Sequence, residues 1–280
     1  RRVHYLYQVA RKHISAEESK AQKQRALHDF LNESYLKYNH RAFIERDPVC
    51  IPHRFSKKKD IEIAAFLSAT IAWGNRTAII NNASKLMTWM DEAPYDFILH
   101  HRQRDLKPFE TFVHRTFNGS DTLFFIRALQ HIYLKHGGLE SAFGHSEQTG
   151  EATNFTLKYR LVHFRKRFLE APHLPRSEKH VSNPAQKSSA KRLCMFLRWM
   201  VREDKHGVDF GIWKSISPRE LCLPLDVHTG NVSRALALLK RRQNDWTAVE
   251  EITGVLRELD ANDPVKYDFA LFGLGVDKAL

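Results

Sequence analysis

The chain is poor in cysteine and has no long apolar run. Its 280 residues include only three cysteines, Cys50, Cys194 and Cys222, which lie far apart. Three separated cysteines cannot form a disulfide framework or a four-cysteine metal or iron–sulfur site within one chain, so we expect them to fill the core in a reducing compartment. No segment approaches the roughly 20 apolar residues of a membrane span, and no signal-peptide core opens the chain. The sequence therefore predicts a cytosolic protein without membrane contact.

Acidic residues are fewer than basic ones. The chain has 44 lysines and arginines against 32 aspartates and glutamates, which gives a formal net charge of +12 at pH 7. Such a charge suits a polyanionic partner such as nucleic acid, and a solvated basic face is the alternative explanation.

Alternating β-branched runs are also scarce, whereas apolar residues recur at helical spacing along most of the chain. The sequence therefore predicts an all-α fold. Asp60 and Ser188 stand where helix N-caps belong, and residues 144–153 are polar and predict a loop. Residues 1–25 form an N-terminal extension to which we assign no role. The predicted helices span residues 60–73, 77–90, 121–136, 154–169, 188–202, 226–239 and 245–259.

The stretch CLPLDVHTGNVSR places an acid, a histidine and a glycine at the start of one predicted helix. Asp226 stands at the N-cap position, where its carboxylate would accept hydrogen bonds from first-turn amides. The same amides and the helix dipole favour the ionised carboxylate, which suits a fixed negative charge or a base as well as a cap. His228 and Gly230 would let another group approach closely.

Lys191 falls in the first turn of the helix that we expect Ser188 to cap. There the positive end of the helix dipole disfavours the ammonium form, and a neutral amine is what a Schiff-base nucleophile requires. Taken alone, one lysine among many basic residues is better explained as a solvated side chain or a phosphate contact. Pairing with Asp226 in the folded chain would favour the catalytic interpretation.

Three stretches occur in this order along the chain: IEIAAFLSATIAWGNRTAIINNASKLM, SSAKRLCMFLRWM and PLDVHTGNVSRALALL. Together they resemble the helix-hairpin-helix (HhH-GPD) superfamily of DNA glycosylases, and their motif style is most similar to that of archaeal 8-oxoguanine DNA glycosylases. The chain from about residue 26 onward also resembles a bacterial family of uncharacterised proteins, through stretches such as HRTFNG, GVDFGIWKSISP and DPVKYDFALFGLG.

The glycosylase resemblance implies a two-lobed helical fold with a cleft that holds DNA. Residues 60–225 would form a helical barrel lobe that includes a hairpin-like region at 180–202. Residues 26–59 would join residues 226–280 in the second lobe. The implied partner is double-stranded DNA carrying a damaged base. We expect a monomer in the bacterial cytosol, associated with the nucleoid, and no cofactor is implied.

The resemblance also implies base-excision chemistry at two residues. Lys191 would attack the anomeric carbon of the sugar and displace the base, and Asp226 would accept the proton and stabilise the cationic sugar. Without the lysine step, Asp226 could still activate water. The implied base pocket or wedge residues are Thr70, Trp73, Trp199 and Trp213, each tryptophan being otherwise explained as core. The implied DNA contacts are Lys187, Ser188, Arg192, His228, Arg234, Lys240, Arg241 and Arg242.

Two other functions stay open. The first is a non-catalytic helical DNA- or RNA-binding protein that keeps the scaffold without the chemistry. The stretch SNPAQKSS stands where the superfamily commonly has the glycine-rich hairpin whose backbone binds a DNA phosphate. A metal-dependent hydrolase is the second alternative, because the chain has 16 histidines. His131 and His136 are five residues apart, however, and side chains at that spacing do not stack on one helix face, so we expect no metal site.

Overall fold

The computed structural model describes residues 20–144 and 156–277. Within these ranges helices dominate, which confirms the predicted all-α fold. Residues 1–19 of the N-terminal extension and nearly all of the predicted loop lie outside the described residues. None of the described helices is both long enough and apolar enough to cross a membrane.

The described chain contains α-helices, short 3₁₀ helices and one small antiparallel hairpin. The α-helices are α1 (Lys20–Tyr38), α2 (Lys58–Thr70), α3 (Arg76–Trp89), α4 (Pro94–His100), α5 (Lys107–Glu110), α6 (Gly119–Lys135), α7 (Leu139–Ala142), α8 (Leu157–Phe168), α9 (Lys191–Val201), α10 (Val227–Ala235), α11 (Trp246–Leu259) and α12 (Tyr267–Val276). The 3₁₀ helices are Arg41–Arg46, Pro48–Cys50, Pro52–Arg54, Gln103–Leu106, Pro175–His180, Pro184–Gln186, Pro218–Glu220 and Pro264–Lys266. The hairpin strands are β1 (Val113–His114) and β2 (Phe117–Asn118).

Helix α2 runs through the middle of the core. Its residues from Asp60 to Thr70 are all buried, as expected of a helix that other elements cover on every side. The Phe66 ring lies at the centre of an aromatic cluster with Phe125 of α6, Phe164 of α8 and Phe196 of α9. Helix α9 therefore packs directly on α2, and this contact fixes the position of Lys191 at the start of α9.

Two predicted N-caps have different roles. Asp60 lies inside the first turn of α2, and its carboxylate accepts the backbone N–H of Tyr95 at 2.9 Å, so it satisfies a free amide at the start of α4 instead. Ser188 precedes α9 by three residues, and its hydroxyl accepts the N–H of Ala190 at 3.2 Å. Ala190 itself occupies the N-cap position in the left-handed region, with φ 48°.

All seven predicted helices are present, and only the one after Asp226 ends much earlier than predicted. Helix α10 stops at Ala235 because Ala237 adopts the left-handed region, with φ 58°, and the N–H of Leu238 returns to the carbonyl of Ser233 at 2.8 Å. This is the usual way to end a helix with a reversal of the chain.

The last helix lies against the first one. Helix α12 packs on α1 and on α10, and Gly273 of α12 faces the Tyr38 ring so closely that an added Cβ would lie 2.2 Å from it. Helix α12 also approaches α10 closely at Gly275, where an added Cβ would lie 3.0 Å from the Cβ of His228. Helix α12 and the segment before α2 thereby lie near Asp226.

A buried ionic cluster ties the end of α9 to the C-terminal part of the chain. We call it the arginine cluster, and it is centred on Arg198 and Arg202. Both guanidiniums are buried, and both pair with Asp209. Its remaining acids are Asp204, Asp263 and Asp268. Burial of so many charges is tolerated only because nearly every one has a partner.

Candidate active site

A pocket of about 520 Å³ opens at the N-terminus of α9. Five separate stretches of the described chain line it: the 3₁₀ segment before α2, the turn between α2 and α3, the start of α9 with the loop before it, the start of α10, and α12. Their principal lining residues are Phe43, Asp47, Trp73, Arg76, Ser182, Ser188, Lys191, Arg192, Met195, Arg198, Asp226, His228, Asp268 and Phe272. Sites assembled from distant stretches in this way are typical of ligand-binding clefts.

Asp226 occupies the N-cap of α10, as predicted. Its Oδ1 accepts the N–H of Thr229 at 2.9 Å, which leaves Oδ2 directed to the pocket side. The backbone carbonyl of Asp226 accepts the side-chain amide of Asn244 at 2.9 Å, and Arg234 donates to the same Asn244 at 2.6 Å. Gly230 makes this arrangement possible, because a Cβ there would lie 2.8 Å from both Arg234 and Asn244. The absence of a side chain at Gly230 therefore lets Asn244 hold the backbone of Asp226 in place.

Lys191 is the first residue of α9, and a tight turn delivers it to the pocket. Lys187 and Ala190 both adopt the left-handed region, with φ 66° and 48°, which is uncommon for residues with a side chain. The Lys191 Nζ lies 3.6 Å from Oδ2 of Asp226, with 27% of the lysine side chain and 21% of the aspartate side chain exposed. The chain thus brings together the two residues proposed for chemistry, and both remain open to solvent in the pocket.

Two further acids in the pocket wall escaped the sequence interpretation. Burial raises the pKa of Asp268 to about 6, against the opposing charge of Arg198, which donates to its carboxylate. Burial also raises the pKa of Asp47, although its carboxylate accepts the N–H of Val49 at 3.0 Å. A signal for Asp268 exists in the sequence, since it is the only charged residue of the apolar helix YDFALFGLGV.

Trp73 forms one aromatic wall of the pocket. The Arg192 guanidinium lies over its ring, 4.7 Å from the centroid, and His180 stacks on it with 6.0 Å between ring centroids. Burial lowers the pKa of Arg192 to about 10, and the guanidinium donates to the carbonyl of Thr70. Thr70 is itself buried and lines a much smaller adjoining cavity, so its side chain is not part of the pocket wall.

Trp199 and Trp213 do not line the pocket. The Trp199 side chain is wholly buried within α9, and Trp213 is 1% exposed among Phe143 and Phe196. The Trp213 indole N–H donates to the carboxylate of buried Glu62 at 2.7 Å. Both tryptophans are core residues, so the interpretation of aromatic residues at helical spacing as core holds for them and the pocket interpretation does not.

The residues expected to contact DNA fall into three groups. Lys187, Lys240 and Arg242 are exposed. Arg241, by contrast, makes a two-pronged ion pair with Asp245, and Arg234 donates to the carbonyl of Arg241 as well as to Asn244. Ser188, Arg192 and His228 line the pocket itself.

The geometric argument against a pairing of His131 and His136 is wrong. Helix α6 ends at Lys135, and His136 is already its C-cap, so the helical spacing rule does not apply to it. Both imidazoles instead contact the same oxygen of Glu170, at 2.9 and 2.8 Å. None of these three residues lines the pocket.

Residues 47–277 match the protein family described as "Protein of unknown function (DUF2400)". The chain belongs to this family. No curated protein and no solved structure matches the chain. Among the principal lining residues only Phe43 lies outside the matched range, so Lys191, Asp226, Asp47 and Asp268 all belong to the part of the chain that the family shares.

Proposed function

We propose that this chain is a DNA N-glycosylase of the base-excision type that acts on a damaged base in duplex DNA and has an accompanying AP-lyase activity. One observation carries the proposal. An amine and a carboxylate from separate helix N-termini, Lys191 and Asp226, lie 3.6 Å apart at the wall of a pocket and remain partly exposed. The similarity of the surrounding stretches to helix-hairpin-helix DNA glycosylases supports the same assignment.

The two groups suit displacement at a sugar carbon. Neutral Lys191 would form a bond from Nζ to the anomeric carbon while the bond to the base breaks and its electron pair leaves with the base. Asp226 would take the proton lost by the lysine and stabilise the positive charge that develops on the sugar. Opening of the sugar ring would then give a Schiff base on Lys191. Proton loss from the adjacent sugar carbon would eliminate the 3′ phosphate.

The pocket has the size and lining that a flipped base requires. Its volume of about 520 Å³ falls within the range of roughly 300 to 1,000 Å³ for small-molecule sites. Trp73 would offer an aromatic contact to the base, and Asp268 and Arg192 would offer polar groups for its edge. Flipping costs a few kcal/mol, which stacking and edge contacts partly offset.

The charge of the chain suits the DNA backbone. Lys187, Lys240 and Arg242 are exposed, and the whole chain has a formal net charge of +12. Contacts from such residues to phosphates would position the duplex without reading its sequence, and binding would weaken steeply with salt.

Borohydride trapping on duplexes with an oxidised, deaminated or alkylated base, or with an abasic site, tests the proposal. We expect a covalent adduct on at least one damaged-base duplex that Lys191→Gln abolishes. We also expect Asp226→Asn to slow base release by at least about 100-fold, because it removes charge stabilisation in the transition state. Lys214→Gln is the matched control, since Lys214 is exposed, pairs with Glu203 and does not line the pocket.

Absence of both adduct and base release on every duplex would overturn the catalytic assignment. Salt-dependent DNA or RNA binding in that case would favour the non-catalytic nucleic-acid-binding alternative. An adduct on abasic DNA alone would contradict the glycosylase step and leave only a reactive amine.

A further inference from the structure

Two imidazoles and a carboxylate converge on the surface, in a cluster that shares no residue with the pocket lining. His131 lies in the last part of α6, His136 caps that helix, and Glu170 follows α8. The Nε2 atoms of the two histidines lie 2.9 and 2.8 Å from the same Oε2 of Glu170. The three potential ligand atoms all fall within 4.8 Å of one another. We call these residues the histidine cluster.

The donor set of the histidine cluster is the one that a divalent transition metal prefers. Imidazole nitrogens bind Zn²⁺, Ni²⁺ and Cu²⁺ well, and two histidines with one glutamate form a known zinc ligand set that leaves a fourth position open. Bond lengths of about 2.0 to 2.2 Å to a tetrahedral zinc imply ligand atoms about 3.3 Å apart. The two nitrogen–oxygen separations of 2.9 and 2.8 Å lie within about 0.5 Å of that value.

The surroundings also allow a metal to enter. The side chains of His131, His136 and Glu170 are 29%, 17% and 42% exposed, so the cluster is open to solvent yet not fully exposed. Glu170 is the only acid that pairs with either histidine among the described residues. The half-buried imidazole of His163 on α8 lies near enough to His136 and Glu170 to interact with both electrostatically.

We infer that His131, His136 and Glu170 form a binding site for a divalent transition metal of the Zn²⁺ type, which links the end of α6 to the segment after α8. The ligands come from two stretches that a metal would hold together, so binding would stabilise the folded chain. This site is independent of the proposed base-excision chemistry, because it shares no residue with the pocket.

Calorimetric titration of Zn²⁺ into chelator-treated protein tests the inference. We expect one zinc per chain to bind at this site, and His131→Ala and Glu170→Gln each to weaken that binding by at least about tenfold, since each removes a direct ligand. His100→Ala is the matched control, because His100 is an exposed histidine that also contacts an acid, Asp96 at 3.0 Å. It should leave the affinity unchanged.

Co²⁺ provides a second measurement that reports on the ligands themselves. A tetrahedral or five-coordinate cobalt site gives visible absorption bands, which should appear in the wild type and disappear in His136→Ala while its circular dichroism stays native. Zinc binding that is equally tight in His131→Ala, His136→Ala and Glu170→Gln would overturn the inference. Failure of the wild type to bind zinc would also overturn it.

Discussion

The basic side chains at the two ends of helix α9 differ in their burial and in the number of acids that pair with them. Just past its C-terminus, Arg202 donates to three carboxylates, those of Asp204, Asp209 and Asp263, at 2.5 to 3.1 Å, and to the Tyr35 hydroxyl. At the N-terminus, Lys191 forms one ion pair within the described part of the chain, with Asp226 at 3.6 Å. The Arg202 side chain is 1% exposed, whereas that of Lys191 is 27% exposed.

This difference separates a structural charge, Arg202, from a charge that is available for reaction, Lys191. A buried guanidinium must have its partners, because unpaired charge in the interior is costly. Arg202 and its neighbours outweigh the effect of burial on Asp204 and hold the pKa of that carboxyl at about 2. An amine that is to attack a substrate must instead be short of partners and accessible. Lys191 satisfies that condition. Arg198 and Asp268 connect the two ends of the helix, because they belong to the arginine cluster and also line the pocket.

The largest expected effect on stability is at Arg202, just past the C-terminus of α9. Arg202→Ala should lower the free energy of unfolding by about 3 to 5 kcal/mol, because three buried or half-buried acids would lose their common partner. Urea unfolding would measure the loss. Arg104→Ala, at an exposed ion pair with Asp105, is the control and should change stability by less than about 0.5 kcal/mol. Equal losses of stability in the two variants would contradict the structural role of Arg202.

Gly230→Ala tests the hydrogen bonds that hold the backbone of Asp226 in place beside Lys191. The added Cβ would lie 2.8 Å from both Arg234 and Asn244, so we expect it to displace Asn244 from the carbonyl of Asp226 and to destabilise the chain by about 1 to 3 kcal/mol. Gly254→Ala is a matched helical control whose Cβ meets nothing within 4 Å, and it should stabilise by up to about 1 kcal/mol. A stabilising Gly230→Ala would show that the arrangement around Asp226 is looser than described.

The stability of the chain should also depend on pH through His180, which stacks on Trp73 beside the pocket. Burial lowers the pKa of His180 to about 4, near the charges of Arg192, Lys179 and Arg176 and despite Asp121 at 3.3 Å. The unfolded chain therefore binds this proton at a higher pH than the folded chain does. The resulting contribution to stability is present above the ordinary histidine pKa of about 6.5 and is lost as pH falls towards about 4.

Urea unfolding of the wild type and His180→Gln at about pH 7 and about pH 4.5 would measure this contribution. The wild type should lose more stability than the variant on acidification. The exposed His100→Gln serves as control and should follow the wild type. A wild-type profile that matches that of His180→Gln would contradict the assignment.

The smallest expected effect on stability is at Lys191 itself. Lys191→Gln should change the free energy of unfolding by less than about 1 kcal/mol, because its single ion pair is partly exposed and long. Chemical denaturation beside the Arg202→Ala variant gives the comparison directly. A loss of several kcal/mol would mean that Lys191 is a structural residue of the same kind as Arg202.

Local sequence patterns predicted the helices and the position of Asp226. Periodicity identifies a helix that packs on one face, and an acid before a helical run identifies a cap, since both depend on neighbours within a few residues. The pairing of Lys191 with Asp226 came only through the resemblance, because it depends on how α9 and α10 meet. Ser188 was misplaced as a cap because two left-handed residues, Lys187 and Ala190, set the start of α9.

The remaining site residues depend on contacts that no local pattern carries. Asp268 reaches the pocket because α12 packs on α1 and α10, and Asp47 because the 3₁₀ helix that it caps packs on α2 and α3. His131 and His136 meet only because the helix ends between them and Glu170 arrives from another segment. Trp199 and Trp213 are core because of the aromatic residues and the Glu62 carboxylate around them.

The most direct test of the account is the identity of the residue that forms the covalent adduct. The borohydride-reduced complex with a damaged-base duplex would be digested, and the modified peptide sequenced by mass spectrometry. We expect one modified lysine, Lys191, in the peptide that begins α9. Modification of another lysine, or of many lysines at random, would contradict the claim that the open end of α9 is the reactive centre.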